Sequence, residues 1–180
     1  MFKKLFALAL AASLLVLAGC HSENRDLTGF SGNSGDTSDT APIASGEKLS
    51  FTTTDINGKT VSLEDFSGAE VIMFNMWEPW CGPCREELPD LQKLYAKYGA
   101  EGLMIVGVYS DTDGLKETVQ SNGIQYPMIK SCAAFNRFNT GYVPTTVFTD
   151  GEGNVLSDEA YIGSKSYEEW ESVILSYLHQ

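Results

Sequence analysis

Cys81 and Cys84 stand three positions apart in the run Trp80-Cys81-Gly82-Pro83-Cys84. If a helix starts there, a single turn of backbone holds the two sulfurs close enough to bond, so the pair can open and close without disturbing the rest of a fold. Thiol–disulfide exchange needs a thiolate, and a cysteine used for it must have its pKa drawn down from about 8.5. The amino end of a helix does this with free backbone N–H groups and the positive end of its dipole. Cys81 at that end is the candidate nucleophile. Cys84, one turn further in, is the thiol that attacks the resulting mixed disulfide and releases the partner. Two plainer readings compete. A zinc half-site requires two further ligands, and outside the pair, with Cys20 set aside in the leader region, the chain offers only Cys132, His21 and His179, so no metal is expected. Two inert core thiols would have no need of the turn that Gly82 and Pro83 shape.

A redox pair of this kind depends on a strand to deliver it and a helix to carry it. Glu70 to Trp77 is nearly continuous in apolar residues, as a strand buried on both faces should be. From Cys84 onward Leu88, Leu91, Leu94, Tyr95 and Tyr98 recur at helical spacing, with Gly99 as the stop and Pro89 as an expected kink. Leu103 to Tyr109 reads as the next buried strand, followed by a cap at Asp111 or Asp113 and a short helix near Leu115 to Ser121. Strand, helix, strand with apolar strands implies a right-handed parallel crossover. Before this unit, Leu49 to Thr54 and Lys59 to Leu63 flank Asp55-Ile56-Asn57-Gly58, whose Asn-Gly pair signals a hairpin. After it come a short ambiguous stretch at Tyr126 to Ile129 and one or two helical turns over Ala133 to Phe138. Thr145 to Thr149 then pairs with Val155 to Tyr161, and an amphipathic helix, Tyr167 to Leu178, turns Trp170, Val173, Ile174 and Tyr177 inward. The expected class is α/β, a central mixed sheet flanked by helices with an added N-terminal β-hairpin. No internal repeat is visible.

The first residues read as an address. Lys3 and Lys4 precede an apolar run from Leu5 to Gly19, too short for the roughly 20 residues that span a bilayer. Leu17-Ala18-Gly19-Cys20 resembles the bacterial lipobox, which implies a signal peptide over 1–19, cleavage before Cys20 and lipid on its sulfur; a plain secretory signal is the alternative. Residues 20–47 are rich in Gly, Ser, Asn, Asp and Thr and read as a flexible tether, leaving 48–180 for one domain. Loss of Lys3 and Lys4 with the signal takes the formal net charge from -12 to -14. An acidic chain without a basic cluster argues against nucleic acid and against electrostatic docking on anionic lipid. Attachment to a membrane therefore falls to the anchor. Four cysteines are too few for a disulfide-stapled scaffold of this length.

Trp80-Cys81-Gly82-Pro83-Cys84 matches the thioredoxin signature. Together with the lipobox, the hairpin, Phe74-Asn75-Met76-Trp77 before the motif and Arg85-Glu86-Glu87-Leu88-Pro89 after it, the chain resembles the extracytoplasmic TlpA and ResA-like branch. The resemblance spans about residues 48 to 178 and implies a thioredoxin-like fold and thiol–disulfide exchange. It makes Tyr142-Val143-Pro144-Thr145 the cis-proline loop, in which Val143 offers its backbone to the bound partner and Pro144 is cis. It also bears on proton transfer. Thioredoxin itself has a buried aspartate six positions before the first cysteine, but here that position is Asn75, which cannot titrate. Glu87, one turn past Cys84 on the same helical face, takes the acid–base role by analogy with ResA-like proteins, the plain alternative being a solvated glutamate like Glu86. Trp80 is expected to shield the thiols and contact partners, Trp77 to lie in the core, and Cys132, which has no place in the family pattern, to be a buried free thiol. The resemblance implies a membrane-tethered reductant of envelope-protein disulfides, with electrons supplied by a CcdA- or DsbD-type membrane transporter. Apocytochrome c or reductase and peroxide-defence proteins are its targets on this reading. The thiols carry the electrons themselves, so no cofactor is expected. A disulfide-forming oxidase and a non-catalytic binding or holdase lipoprotein remain the alternatives.

Overall fold

The computed structural model describes residues 40–42, 48–157 and 159–179. The expected signal peptide, the lipidation site Cys20 and most of the expected tether lie outside the described residues. Within the tether, Thr40–Pro42 forms a strand, β1, that pairs antiparallel with the far edge of the main sheet, Thr40 opposite Tyr161. Three residues assigned by composition to a flexible segment thus belong to the sheet.

The hairpin consists of β2 (Thr52–Thr54) and β3 (Thr60–Ser62), paired antiparallel. Its turn is longer than the Asn-Gly pair alone would make. The Asp55 carboxylate accepts the N–H groups of Asn57 and Lys59, each at 2.8 Å, and Gly58 takes a positive φ of 83° that a side chain would resist.

The chain then enters β4 (Val71–Met76), α1 (Gly82–Tyr98) and β5 (Leu103–Tyr109), with β4 and β5 parallel, as the apolar strands implied. Next come α2 (Leu115–Ser121), β6 (Met128–Lys130), a 3-10 segment over Ala133–Phe138, β7 (Thr145–Thr149), β8 (Glu159–Ile162) and α3 (Tyr167–Leu178). The strand order is β1-β8-β7-β4-β5-β6, parallel across β4-β5-β6 and antiparallel elsewhere. The hairpin covers the β6 edge, where the Ile56 N–H donates to the Met128 carbonyl and the Thr53 hydroxyl to the Lys130 carbonyl. Exposed sheet edges invite pairing with other chains, and this one is covered.

Alternation along β4 divides the core. Met73 and Trp77 join Leu88, Leu91 and Leu94 of α1 and Trp170 and Ile174 of α3 on one face; Ile72 and Phe74 join Phe51, Phe66, Phe135 and Phe138 on the other. Asn75 follows the odd-numbered set and so points to the α1 face.

α1 stops at Gly99 as expected: Gly99 is its C-cap, right-handed (φ -58°), and opens a 3-10 turn from which Gly102, with φ 100°, redirects the chain into β5. One local expectation is corrected. Neither Asp111 nor Asp113 caps α2. Its first helical residue follows Gly114, which is left-handed and offers no side chain, while the Asp111 carboxylate accepts the Asp113 N–H. α1 runs through Pro89, which lies inside the helix as expected. Proline removes one hydrogen bond from a helix, and the packing of Leu88, Leu91 and Leu94 holds the helix together across the gap.

Candidate active site

β4 ends at Met76, and the connection 77–80 leads directly into the amino end of α1. Cys81 is the N-cap, in extended backbone (φ -81°, ψ 111°), so its side chain lies over the free N–H groups of the first turn. Pro83 in that turn wastes no hydrogen bond, because its missing N–H would have had no helical partner. The Cys84 N–H donates to Cys81 Sγ at 3.2 Å. Cys81 and Cys84 are joined in a disulfide, with Cα atoms 5.3 Å apart. Cys81 retains 5% of its surface and Cys84 none. An incoming thiol or disulfide can therefore reach only Cys81, and the same N–H that contacts its sulfur here would hold a Cys81 thiolate after reduction.

The loop before β7 faces this sulfur. The Val143–Pro144 bond is cis, and the Val143 carbonyl oxygen lies 3.6 Å from Cys81 Sγ. The Thr145 hydroxyl donates to the Tyr142 carbonyl at 2.8 Å and sits 2.8 Å from the Thr140 hydroxyl, which pins the loop to the start of β7. Beside the disulfide runs a groove of about 450 Å³ whose lining includes Met76, Glu78, Trp80, Phe138, Tyr142 and Val143. Trp80 and Tyr142 stand on it 68% and 70% exposed, the two exposed large hydrophobic side chains among the described residues. Trp77, by contrast, is fully buried. Large apolar side chains left in water next to a reactive atom suit the capture of another chain. Glu78 is occupied structurally: its carboxylate accepts the N–H groups of Ser110 and Asp111.

Behind the disulfide, Glu86 points into solvent and Glu87 does not. Glu87 is 3% exposed. Its Oε1 accepts from Asn75 Nδ2 at 2.9 Å, and its Oε2 accepts from the Trp170 indole N–H at 3.0 Å and the Lys165 backbone N–H at 3.2 Å. Asn75 Nδ2 also donates to the Thr146 hydroxyl at 3.0 Å. Burial raises the Glu87 pKa above the ordinary carboxyl value, and the three hydrogen bonds and the Lys165 ammonium only partly oppose it. A carboxyl group so placed can hold a proton that an exposed glutamate would have lost, and it lies one turn of α1 beyond Cys84.

Cys132 is a free thiol, and it is half-buried rather than buried; it packs at the edge of the core face that holds Phe135 and Phe138. The structure adds three residues that the motifs did not single out. Tyr142 was legible only as a neighbour of the proline loop. Trp170 reads as core from its helical spacing, although a buried indole N–H calls for an acceptor. Lys165 acts through its backbone and left no residue-type signal.

The family described as AhpC/TSA matches residues 45–157 of the chain. The thiol-disulfide oxidoreductase ResA of Bacillus thuringiensis (strain Al Hakam) is 33% identical over 132 residues, which are 71% of this chain and 75% of that protein. ResA of Bacillus anthracis gives the same figures. Among solved structures, that of a putative thiol:disulfide interchange protein DsbE from Chlorobium tepidum superposes with a TM-score of 0.65 at 26% identity, covering 76% of this chain and 99% of that one. Sequence, fold and a CxxC disulfide at a helix amino end therefore agree, and the chain belongs to the AhpC/TSA family as a thioredoxin-fold thiol-disulfide oxidoreductase of the ResA type.

Proposed function

We propose that this oxidoreductase works outside the cytoplasm, tethered to a membrane, as a reductant of disulfides in envelope proteins. The observation that carries the reading is the asymmetry of the pair: Cys81 alone reaches the surface, beside the Val143 carbonyl and the Trp80–Tyr142 groove, while Cys84 and Glu87 lie behind it. The lipobox-like run ending at Cys20 and the tether over 20–47 support the location. Among the described residues no helix is long and apolar enough to cross a membrane. Attachment is assigned to lipid at Cys20.

A Cys81 thiolate, held by the amino end of α1, attacks one sulfur of the target disulfide. The S–S bond of the target breaks, a Cys81–target mixed disulfide forms, and the other target sulfur leaves as a thiolate that takes up a proton. Cys84 then gives its proton to the Glu87 carboxylate and attacks Cys81 Sγ. The second target sulfur leaves with the electron pair and is protonated by Glu87. Two electrons pass from the cysteine pair to the target, and the Cys81–Cys84 disulfide of the structure is the product. Trp80, Val143 and Pro144 hold the extended target segment across Cys81. A membrane thiol transporter of the CcdA or DsbD type restores the dithiol. Apocytochrome c, whose thiols must be free for haem attachment, and reductase or peroxide-defence proteins are the targets that fit.

Direction depends on the potential of the pair relative to its partners, and the Gly82-Pro83 dipeptide supports reduction. The test is a Cys84→Ser chain expressed in its membrane, where mixed disulfides stranded on Cys81 are isolated and sequenced. Trapped envelope proteins bearing CxxC pairs are the expected result. Absence of any Cys81-dependent adduct, with insulin reduction equal in the parent and in Cys81→Ser, overturns the reading.

A further inference from the structure

The side chain six residues before Cys81 is not merely a neutral stand-in for a lost acid. Asn75 is fully buried, and its Nδ2 donates to both Glu87 Oε1 and the Thr146 hydroxyl. Its own Oδ1, equally buried, has no hydrogen-bond partner. Every group that reaches Glu87 is a donor: the Asn75 amide, the Trp170 indole and the Lys165 backbone N–H. That set suits a carboxylate. A carboxylic acid instead needs one acceptor for its O–H, and neither an indole nor a backbone N–H can accept. Asn75 alone carries both capacities, separated by half a turn of a broad, two-fold terminal torsion. Thr146 can keep its bond in either orientation, because a hydroxyl both accepts and donates.

We propose that Asn75 is a proton-state adaptor for Glu87: its carboxamide donates to the carboxylate and, turned over, accepts from the carboxylic acid, so Glu87 and Thr146 keep a bond to Asn75 in both states while the unpartnered position passes from Oδ1 to Nδ2. The proposal rests on the reading of Glu87 as the acid–base group and makes Asn75 a positioning residue for it. An aspartate at 75 could not serve, because two carboxyl groups at 2.9 Å would compete for one proton. The partner hydroxyl, Thr146, lies two residues beyond Pro144 on β7, so the adaptor is anchored on the strand that carries the partner-binding loop.

The other groups that act on Glu87 are accounted for. The Lys165 ammonium, from the β8–α3 connection, favours the carboxylate. Tyr126, ahead of β6, has its phenol pushed far above the ordinary range by burial and then by Glu87, and it stays protonated throughout. Cys81 and Cys84 do not titrate while joined.

The test is a pH titration of the oxidised full chain by NMR, following the Glu87 side-chain carboxyl carbon and the Asn75 side-chain amide together. The expected result is one common midpoint for the two signals. In Glu87→Gln the Asn75 signal should stop responding to pH. In Asn75→Asp the Glu87 titration should split or move up by about one pH unit or more, a tenfold change in proton affinity, as in coupled carboxyl pairs. The insulin-reduction profile should follow through kcat rather than KM. A Glu87 carboxyl that titrates while the Asn75 amide stays still, or one that never titrates, overturns the adaptor whatever the activity shows. Failure of the acid–base reading looks different: the reductase pH profile would be unchanged in Glu87→Gln while the NMR signals still move together.

Discussion

Glu87→Gln turns a buried ionisable group into a neutral amide of nearly the same shape, and its effect on stability must depend on pH. Burial raises the Glu87 pKa, so the folded chain holds this proton more tightly than the unfolded one. Between the unfolded carboxyl value, about 4.3, and the higher folded value, folding takes up one proton. Stability then falls by about 1.4 kcal/mol for each pH unit of rise. Below that window both states are protonated and the contribution is fully present; above it both are ionised and it is lost. Opposing forces inside the site set the width. Withdrawing a carboxylate from water costs several kcal/mol, while hydrogen bonds to a charged group contribute about 1.5–3 kcal/mol each, and Glu87 receives three of them. Burial wins by only part of its full cost. The assay is denaturant unfolding of the oxidised parent and variant across the acid-to-neutral range, with the disulfide intact so that neither cysteine titrates. The stability of Glu87→Gln minus that of the parent should climb with pH, at a slope approaching about 1.4 kcal/mol per unit, and level off once Glu87 is ionised. A difference that stays flat, or falls, means that the three donors outweigh burial. Glu87 would then be an ordinary ionised carboxylate with no proton to give.

Trp80→Ala removes an exposed side chain and should leave stability within about 0.5 kcal/mol. The kcat/KM for a protein disulfide should fall about tenfold, a loss of about 1.4 kcal/mol, and that for a small disulfide by less; equal losses on both would deny Trp80 a role in binding chains. Gly153→Ala should destabilise the fold by about 2–4 kcal/mol, measured by thermal unfolding. Gly153 has φ 86°, and an added Cβ would run into the carbonyl of Leu49, whose N–H donates to the Gly153 carbonyl at 2.7 Å and ties the start of the domain to the 150–154 turn. Ser166→Ala removes the cap of α3, where the Ser166 hydroxyl accepts the Glu169 N–H and the Glu169 carboxylate accepts the Ser166 N–H. The cost should be about 1 kcal/mol, a fall in Tm of about 2–4 °C. Because Lys165 precedes that cap and donates to Glu87, the Glu87 titration should move as well.

Local spacing along the chain already encodes part of this protein. Two thiols one turn apart at a helix start make a redox pair wherever the helix lies, and the apolar run 70–77 followed by a helical repeat could be little else than a buried strand feeding α1. Its family resemblance carried the proline loop and the fold. Local rules failed where two of them competed: Asp111 and Asp113 looked like caps, but Gly114 took the left-handed position from which α2 begins. Composition likewise gave no hint that Thr40–Pro42 would find a strand edge on β8. The identity of the proton site was decided only by tertiary structure. Glu86 and Glu87 are neighbours of one residue type, and helical periodicity says that they face different ways without saying what waits on either side. What waits for Glu87 comes from 12, 78 and 83 residues away: the Asn75 amide on β4, the Lys165 N–H after β8 and the Trp170 indole on α3. Burial and hydrogen bonding are properties of that gathering. A carboxyl pKa is set by its surroundings, and only the folded chain assembles them.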